Sequence, residues 1–264
     1  MGVRAIAVDE DGTFLRDHVH YDIQRFEALW TRMEAAGIRF VVATGNQYQQ
    51  VRDLFATHAD QIGYVCAAGA YVLDGGLPLR VAKAPAHVAP LLSDYCRSHP
   101  DVPFCSLGPK GCHVPRQASR DFFDDMATYC HEISWVDDLA AVADEPFLFS
   151  SVVDERAVDD VVDDLKHLLK NEMSVVKCGE GYFDVMCPGV TKASGLEVLL
   201  AHWAISAEEL VAFGDSDNDL EMLSLAGVGY AMENAPAHVR DAADKIAPPC
   251  TEDGVLAVLE DILP

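Results

Sequence analysis

Residues 3–8, VRAIAV, run apolar into Asp9, and Asp9-Glu10-Asp11 is followed at once by Gly12. A short apolar run closed by a glycine turn reads as a buried strand. Its end leaves side chains and backbone N–H groups projecting into the crevice above a parallel sheet. The pattern returns at Ile38–Ala43 before Thr44-Gly45, at Tyr64–Ala67, and at Leu210–Phe213. Between the first two runs, Ile23, Phe26, Leu29, Trp30 and Met33 fall at helical spacing within Tyr21–Ala36, with Gly37 as the stop. A second helix is expected over Gln47–His58, and Tyr71–Ala82 reads as a hairpin turning at Asp74-Gly75-Gly76. Strands separated by helices specify parallel βαβ units, hence an α/β chain with a doubly wound parallel sheet.

From about residue 83 to 187 that rhythm breaks. Pro85–His99 and Ala118–Cys130 suggest helices, with short strands near Pro103–Leu107 and Glu145–Val153. Asp154–Lys170 is an amphipathic helix whose Asp159, Asp160, Asp163 and Asp164 form a solvated acidic face. Strands Ser174–Cys178 and Tyr182–Cys187 close a segment that reads as an α+β domain with a mainly antiparallel sheet. The alternation resumes at Lys192: a helix, the strand Leu210–Phe213, a helix at Leu220–Leu225, a strand at Gly227–Ala231 and a last helix at Val255–Ile262. The expected organisation is a Rossmann-like core made of residues 1–82 and 188–264, with 83–187 inserted as a second domain.

A chain of 264 residues sustains one large domain or two modest ones. Its net charge of −24 disfavours nucleic-acid backbones and anionic membranes as partners. The same charge repels phosphorylated molecules, so a site for one needs a metal ion and a few placed Lys or Arg residues. The eight cysteines form no disulfide framework. Cys112-His113 and Cys130-His131 lack the companion spacings of a structural zinc site. The N-terminal apolar run is too short for a signal peptide, and no stretch approaches ~18 consecutive apolar residues. A cytoplasmic chain with reduced thiols is expected, as a monomer or weak homo-oligomer.

Four polar groups stand at strand ends or helix starts of the alternating part. Asp9 and Asp11, two positions apart, suit a nucleophile and a proton donor and acceptor, the pair needed for phosphoryl transfer through an aspartyl-phosphate. An Asp-rich turn capping a strand would look the same in isolation. Thr44-Gly45 offers a hydroxyl and N–H groups to an anion, although a plain helix cap has the same composition. Lys192 opens a helix, where a cation opposes the dipole, so stability alone does not favour it there. Beside a phosphorylated carboxylate it would neutralise the transferring group. Asp215, Asp217, Asn218 and Asp219 crowd one strand end and repel one another unless a cation joins them; hard oxygen ligands with a phosphate partner suit Mg²⁺. The glycine and terminal Glu of an EF-hand loop are missing at the required offsets.

Taken in order, DEDGT, Thr44, Lys192 and GDSDND resemble the four motifs of the haloacid dehalogenase (HAD) superfamily across the whole alternating part. The insertion after the third strand, with GDSDNDLEM and the Asn234-Ala235 pair, is similar to the Cof-type branch, whose inserted domain is an α/β cap. The resemblance implies that Asp9 is phosphorylated and that Asp11 protonates the leaving oxygen and later activates water. It implies Mg²⁺ held by Asp9, the Asp11 carbonyl and Asp215, with Asp219 orienting metal-bound water or the lysine. Thr44, the Gly45 N–H, Lys192, Asn218 and the Glu10 N–H would hold the phosphoryl oxygens.

Asp11 matters for class: family members that are dehalogenases lack it, so its presence implies phosphate-ester hydrolysis. The chain departs from the family's usual residues at Glu10, at Asn46 and at Ala67-Ala68-Gly69-Ala70, which bears on substrate contacts. Lys110, His113 and Arg116 of the inserted domain are candidates to reach substrate. The function implied is a Mg²⁺-dependent phosphatase of small phosphorylated metabolites, sugar phosphate-like monoesters. A phosphomutase, or a non-catalytic binder of Mg²⁺ and phospholigands, are the alternatives.

Overall fold

The computed structural model describes residues 2–17, 19–142, 145–179 and 181–264. Strand β1 (Ala5–Val8) is followed by helix α1 (Ile23–Ala36), β2 (Arg39–Ala43), α2 (Tyr48–Leu54), β3 (Gly63–Cys66), β4 (Tyr71–Asp74) and β5 (Leu77–Val81). The middle carries α3 (Val88–Ser98), β6 (Cys105–Gly108), β7 (Gly111–Pro115), α4 (Arg120–Tyr129), β8 (Ile133–Val136), β9 (Leu148–Val152), α5 (Val158–Leu169), β10 (Ser174–Gly179) and β11 (Tyr182–Met186). The chain ends with α6 (Lys192–Trp203), β12 (Leu210–Gly214), α7 (Leu220–Leu225), β13 (Val228–Met232), α8 (Ala237–Ala242), β14 (Lys245–Ala247) and α9 (Gly254–Ile262). Two compact units result: residues 1–45, 51–80 and 191–264, and residues 46–50 with 81–190.

The first unit is α/β and Rossmann-like. Its eight-stranded sheet runs β14-β13-β12-β1-β2-β3-β4-β5. The pairs from β14 to β3 are parallel, and β4 turns back antiparallel on β3. Strand alternation sends Ala5, Ala7, Val41 and Ala43 to one face, where Leu196, Leu199 and Leu200 of α6 and Met222 and Leu223 of α7 cover them. Phe40 of β2 belongs to the other face, in a ring cluster with Phe14, Phe26 of α1 and Phe55. Both faces are thus buried, which is why the strands are apolar throughout.

The second unit has a six-stranded sheet, β10-β11-β9-β6-β7-β8. It is antiparallel except for the β7–β8 pair. Leu92 of α3 and Val162, Leu165 and Leu169 of α5 pack with Phe104, Phe149, Phe183 and Val185 to form its core. Strands β7 and β8 leave little trace in the sequence: GCHVP carries a glycine and a proline, and ISWV is only four residues long. Helix α2 is shorter than the expected Gln47–His58 because it ends at Leu54. Among the described residues no helix is long and apolar enough to cross a membrane.

Helix ends show where local chemistry is well or poorly matched. Helix α1 ends at Gly37 in the left-handed region (φ 66°), where the N–H reaches back to Met33 and Glu34 carbonyls. Helix α6 ends in the same way at Ala204 (φ 51°), with its N–H directed to Leu200 and Ala201, but without a glycine. A Cβ in that conformation costs about 1 kcal/mol. Ala204 is exposed, so Ala204→Gly removes no packing. The variant is expected to gain about 1 kcal/mol and to melt about 2–4 °C higher in a thermal denaturation scan.

Candidate active site

Strands β12, β1 and β2 lie side by side and parallel, so their carboxyl ends open on one edge of the sheet. Val8 pairs with Phe213 on one side and Val42 on the other. Asp9 therefore leaves β1 level with Gly214 and Ala43, one residue short of Asp215 and Thr44. The Asp9 N–H still donates to the Phe213 carbonyl at 3.0 Å, which extends the ladder to the first site residue. Beyond it the chain folds tightly: Phe14 N–H donates to the Asp9 and Glu10 carbonyls, and Leu15 N–H to Glu10. Gly12 sits at φ 79°, and a Cβ there would fall 2.4 Å from Asp215 Oδ2. Only a glycine lets the turn approach this carboxylate.

Lys192 enters from α6. Thr191 caps that helix by accepting from Ser194 N–H at 3.2 Å, while its own N–H donates to Ser194 Oγ at 3.0 Å. The cap fixes Lys192 as the first helical residue. The helix itself comes close to the 67–69 turn, where a Cβ on Gly69 would lie 2.1 Å from the Thr191 carbonyl oxygen. Lys192 is only 1% exposed, and its Nζ donates to Asp9 Oδ1 and Asp219 Oδ1, each at 2.6 Å. Burial pulls the Lys192 pKa down, yet Asp9 and Asp219 outweigh it and hold the ammonium above its ordinary value. Lys192 is thus a fixed positive charge.

The loop after β12 is organised by Asp219, which is fully buried. Its Oδ2 accepts from the N–H groups of Asp215 and Ser216, both at 3.0 Å. With Oδ1 on Lys192, both oxygens are engaged within the protein, which suits a role in orienting the lysine and the loop. Asp215 is half-buried and accepts from Thr13 Oγ1 at 3.2 Å. Asn218 is exposed and its Oδ1 accepts from Ser216 Oγ at 2.8 Å. Thr44 is buried at the end of β2, with its N–H on Val65 and its carbonyl accepting from Ala68 N–H. Gly45 beside it is exposed.

One oxygen from each of Asp9, Asp215 and Asp219 lies within 4.8 Å of the others. Burial pushes Asp9 well above the ordinary carboxylate range; Lys192 pulls it down, but Asp219 and Asp215 add to the rise. Burial, and then the Asp219 charge, also raise Asp215. Three carboxylates against one ammonium leave excess negative charge in a buried place, and hard oxygen donors of this kind fit Mg²⁺. The Asp11 side chain is not one of the clustered carboxylates.

The Asn234-Ala235 pair belongs to the resemblance, but the contacts that Asn234 and Asp253 make carry no signal in sequence spacing. Asn234 Nδ2 donates to the Gly12 carbonyl at 2.8 Å, and its Oδ1 accepts from Cys250 N–H at 3.0 Å, so it ties the Asp9–Gly12 turn to the C-terminal part of the chain. Asp253 similarly binds Arg16 and Arg25. In the second unit, His113 Nδ1 meets Ser134 Oγ at 3.0 Å and Arg116 Nε donates to Asp137 at 3.3 Å.

Residues 6–259 match the family model described as haloacid dehalogenase-like hydrolase. The chain belongs to this family. A relative from Escherichia coli, 5-amino-6-(5-phospho-D-ribitylamino)uracil phosphatase YbjI, is 34% identical over 263 residues, covering 100% of this chain and 97% of the relative. Among solved structures, SMU.1108c from Streptococcus mutans is 29% identical with a TM-score of 0.87, covering 98% of each chain. A protein from Eubacterium rectale is 26% identical with a TM-score of 0.90, covering 99% of each. This haloacid dehalogenase-like chain is of the Cof type and is an enzyme, a phosphoric monoester hydrolase.

Proposed function

We propose that the chain is a Mg²⁺-dependent phosphatase that hydrolyses small, sugar phosphate-like monoesters through a phosphorylated Asp9. The observation that carries this reading is the buried Asp9–Lys192–Asp219 arrangement, both contacts 2.6 Å, with Asp215 beside it. Asp9 attacks phosphorus as the bond to the leaving oxygen breaks, and Asp11 gives that oxygen its proton. Asp11 then takes a proton from the water that attacks the acyl phosphate, which frees Asp9 and releases phosphate. Lys192 balances the charge of the transferring group, and Thr44 with the N–H groups of Gly45 and Glu10 and the Asn218 amide hold its oxygens. Asp9, Asp215 and the Asp11 carbonyl would hold Mg²⁺, which when bound supplies charge neutralisation to the phosphoryl group. Asp219 keeps Lys192 and the 215–216 backbone in place. The second unit acts as a cap that excludes water and selects the leaving group. The eight free cysteines accord with a cytoplasmic location.

The E. coli phosphatase named above makes a phosphorylated pentitol the first substrate to test. A panel of phosphomonoesters, with p-nitrophenyl phosphate included, is expected to release phosphate with Mg²⁺ and to lose that activity in EDTA. Isomer formation without phosphate release would instead show a phosphomutase, and no reaction on any ester would leave a binding role.

The raised carboxylates give the metal dependence a pH signature. A carboxylic acid whose pKa is raised keeps its proton to higher pH, and the metal must displace that proton. The half-saturating Mg²⁺ concentration is therefore expected to increase as pH falls from about 8 to about 6, read by calorimetric titration. A half-saturation that stays level over that interval would contradict the assignment of Asp9 and Asp215.

A further inference from the structure

Gly12 stands between Asp11 and Thr13, whose hydroxyl meets Asp215. Its φ is 79°, and with no Cβ to limit it a glycine turns more freely than any other residue. The bonds within the turn run from the Phe14 and Leu15 N–H groups to the Asp9 and Glu10 carbonyls. The Gly12 carbonyl is held from outside, by Asn234 Nδ2 at 2.8 Å. That carbonyl lies in the planar peptide joining Gly12 to Thr13, so holding it sets the Gly12 ψ angle. With ψ set, Asp11 on one side and Thr13 on the other keep a fixed relation.

Asn234 is itself firmly placed. It lies two residues past β13, whose carboxyl end opens on the same sheet edge as that of β12. Arg240 donates to the carbonyls on either side of it, Glu233 at 3.1 Å and Ala235. The Asn234 Oδ1 accepts from Cys250 N–H at 3.0 Å, so both ends of the amide are engaged. Yet the residue is exposed, where water satisfies an amide nearly as well and such bonds add little to stability. The contact therefore matters more to the geometry of the turn than to the stability of the fold.

We infer that Asn234 is a positioning residue that keeps Asp11 aimed at the leaving-group oxygen. This rests on the phosphatase reading above. In the first step an Asp9 oxygen bonds to phosphorus and the bond from phosphorus to the leaving oxygen breaks. That oxygen takes the Asp11 proton, which leaves Asp11 a carboxylate. An alkyl oxygen is too basic to leave without the proton, so a displaced Asp11 slows its departure. p-Nitrophenolate spreads its negative charge into the ring and leaves unprotonated. Loss of the Asn234 contact should therefore separate the two kinds of ester.

The test measures kcat/KM at saturating Mg²⁺ for p-nitrophenyl phosphate and for the alkyl phosphomonoester that the wild type hydrolyses best. This constant covers the steps up to departure of the leaving group, so the later attack by water does not enter. Asn234→Ala is expected to lower the alkyl value at least about tenfold more than the aryl value. Asn234→Asp keeps the size of the side chain and the acceptor for Cys250 N–H. Ionised at about pH 7.5, it sets a carboxylate oxygen against the Gly12 carbonyl, and the same separation is expected. Both rates come from one preparation, so any loss of folded protein cancels in their ratio. Asn234→Ala should in any case melt within about 3 °C of the wild type. A ratio within about twofold of the wild-type value in Asn234→Ala, or a wild-type ratio in Asn234→Asp, overturns the inference and leaves the phosphatase reading standing. A wild type that hydrolyses no alkyl phosphomonoester overturns that reading, and this inference with it.

Discussion

Asp9→Asn is expected to lower phosphomonoester hydrolysis by at least about a thousandfold while the protein stays folded. The substitution keeps the shape of the side chain and removes only its ability to ionise and attack. Its structural cost should be small, because burial raises the Asp9 carboxyl above its ordinary range, so replacing the buried anion with a neutral amide relieves a desolvation cost. Lys192 retains Asp219 at 2.6 Å, and the carboxylate cluster loses one of its mutually repelling members. A melting temperature near that of the wild type, together with lost turnover of p-nitrophenyl phosphate, would locate the defect in chemistry. Rapid acid quench and mass spectrometry add a direct reading: phosphate attached to the wild-type chain during turnover, and none attached to the variant. Wild-type turnover by Asp9→Asn would remove Asp9 from the role of nucleophile.

How far the sequence carries depends on which physical constraint each element obeys. Strands β1, β2 and β12 are buried on both faces, so AIAV, FVVA and LVAF stand out as continuous apolar runs. Strand β14 is three residues with an exposed Lys245 and Ile246, and β7 includes a glycine and a proline, so neither leaves such a trace. At the site, Asp9, Thr44, Lys192 and Asp215 are legible because each stands where a strand ends or a helix begins, and the parallel topology brings such ends together. Other features depend on folding alone. Nothing in the spacing tells that Asp219 gives both oxygens to Lys192 and to two backbone N–H groups. Asn234 meets the Gly12 carbonyl across 222 residues of sequence. Ala67 and Ala68 take left-handed φ values of 48° and 52°, which alanine does not announce. Gln47 likewise reads as an ordinary solvent-facing glutamine until its burial is known.

Lys192→Met should have the second large effect, on activity and on stability together. The methionine fills most of the volume but leaves Asp9 and Asp219, both buried, without the ammonium that each contacts at 2.6 Å. Removing one partner from a buried ion pair costs about 3–5 kcal/mol, and loss of a charge that stabilises the transferring phosphoryl group adds about a thousandfold in kcat/KM. The stability loss should depend on pH in a definite direction. Lys192 is what pulls Asp9 down, so without it the already raised carboxyl moves higher still. An acid with a raised folded pKa holds more protons in the native state than in the unfolded chain. Its destabilising effect is therefore full above that folded pKa and is relieved as pH falls through it. The melting-temperature gap between variant and wild type is expected to be wider at about pH 8 than at about pH 5.5. Saturating Mg²⁺ should narrow the gap by attracting the uncompensated negative charge, yet leave turnover low, because it does not restore the hydrogen bonds that Lys192 Nζ donates from α6. A gap equal at both pH values with turnover intact would mean that Lys192 packs the helix rather than serving the site. A narrowed gap with turnover still lost separates the two jobs of this residue, holding two carboxylates together and meeting the phosphoryl group.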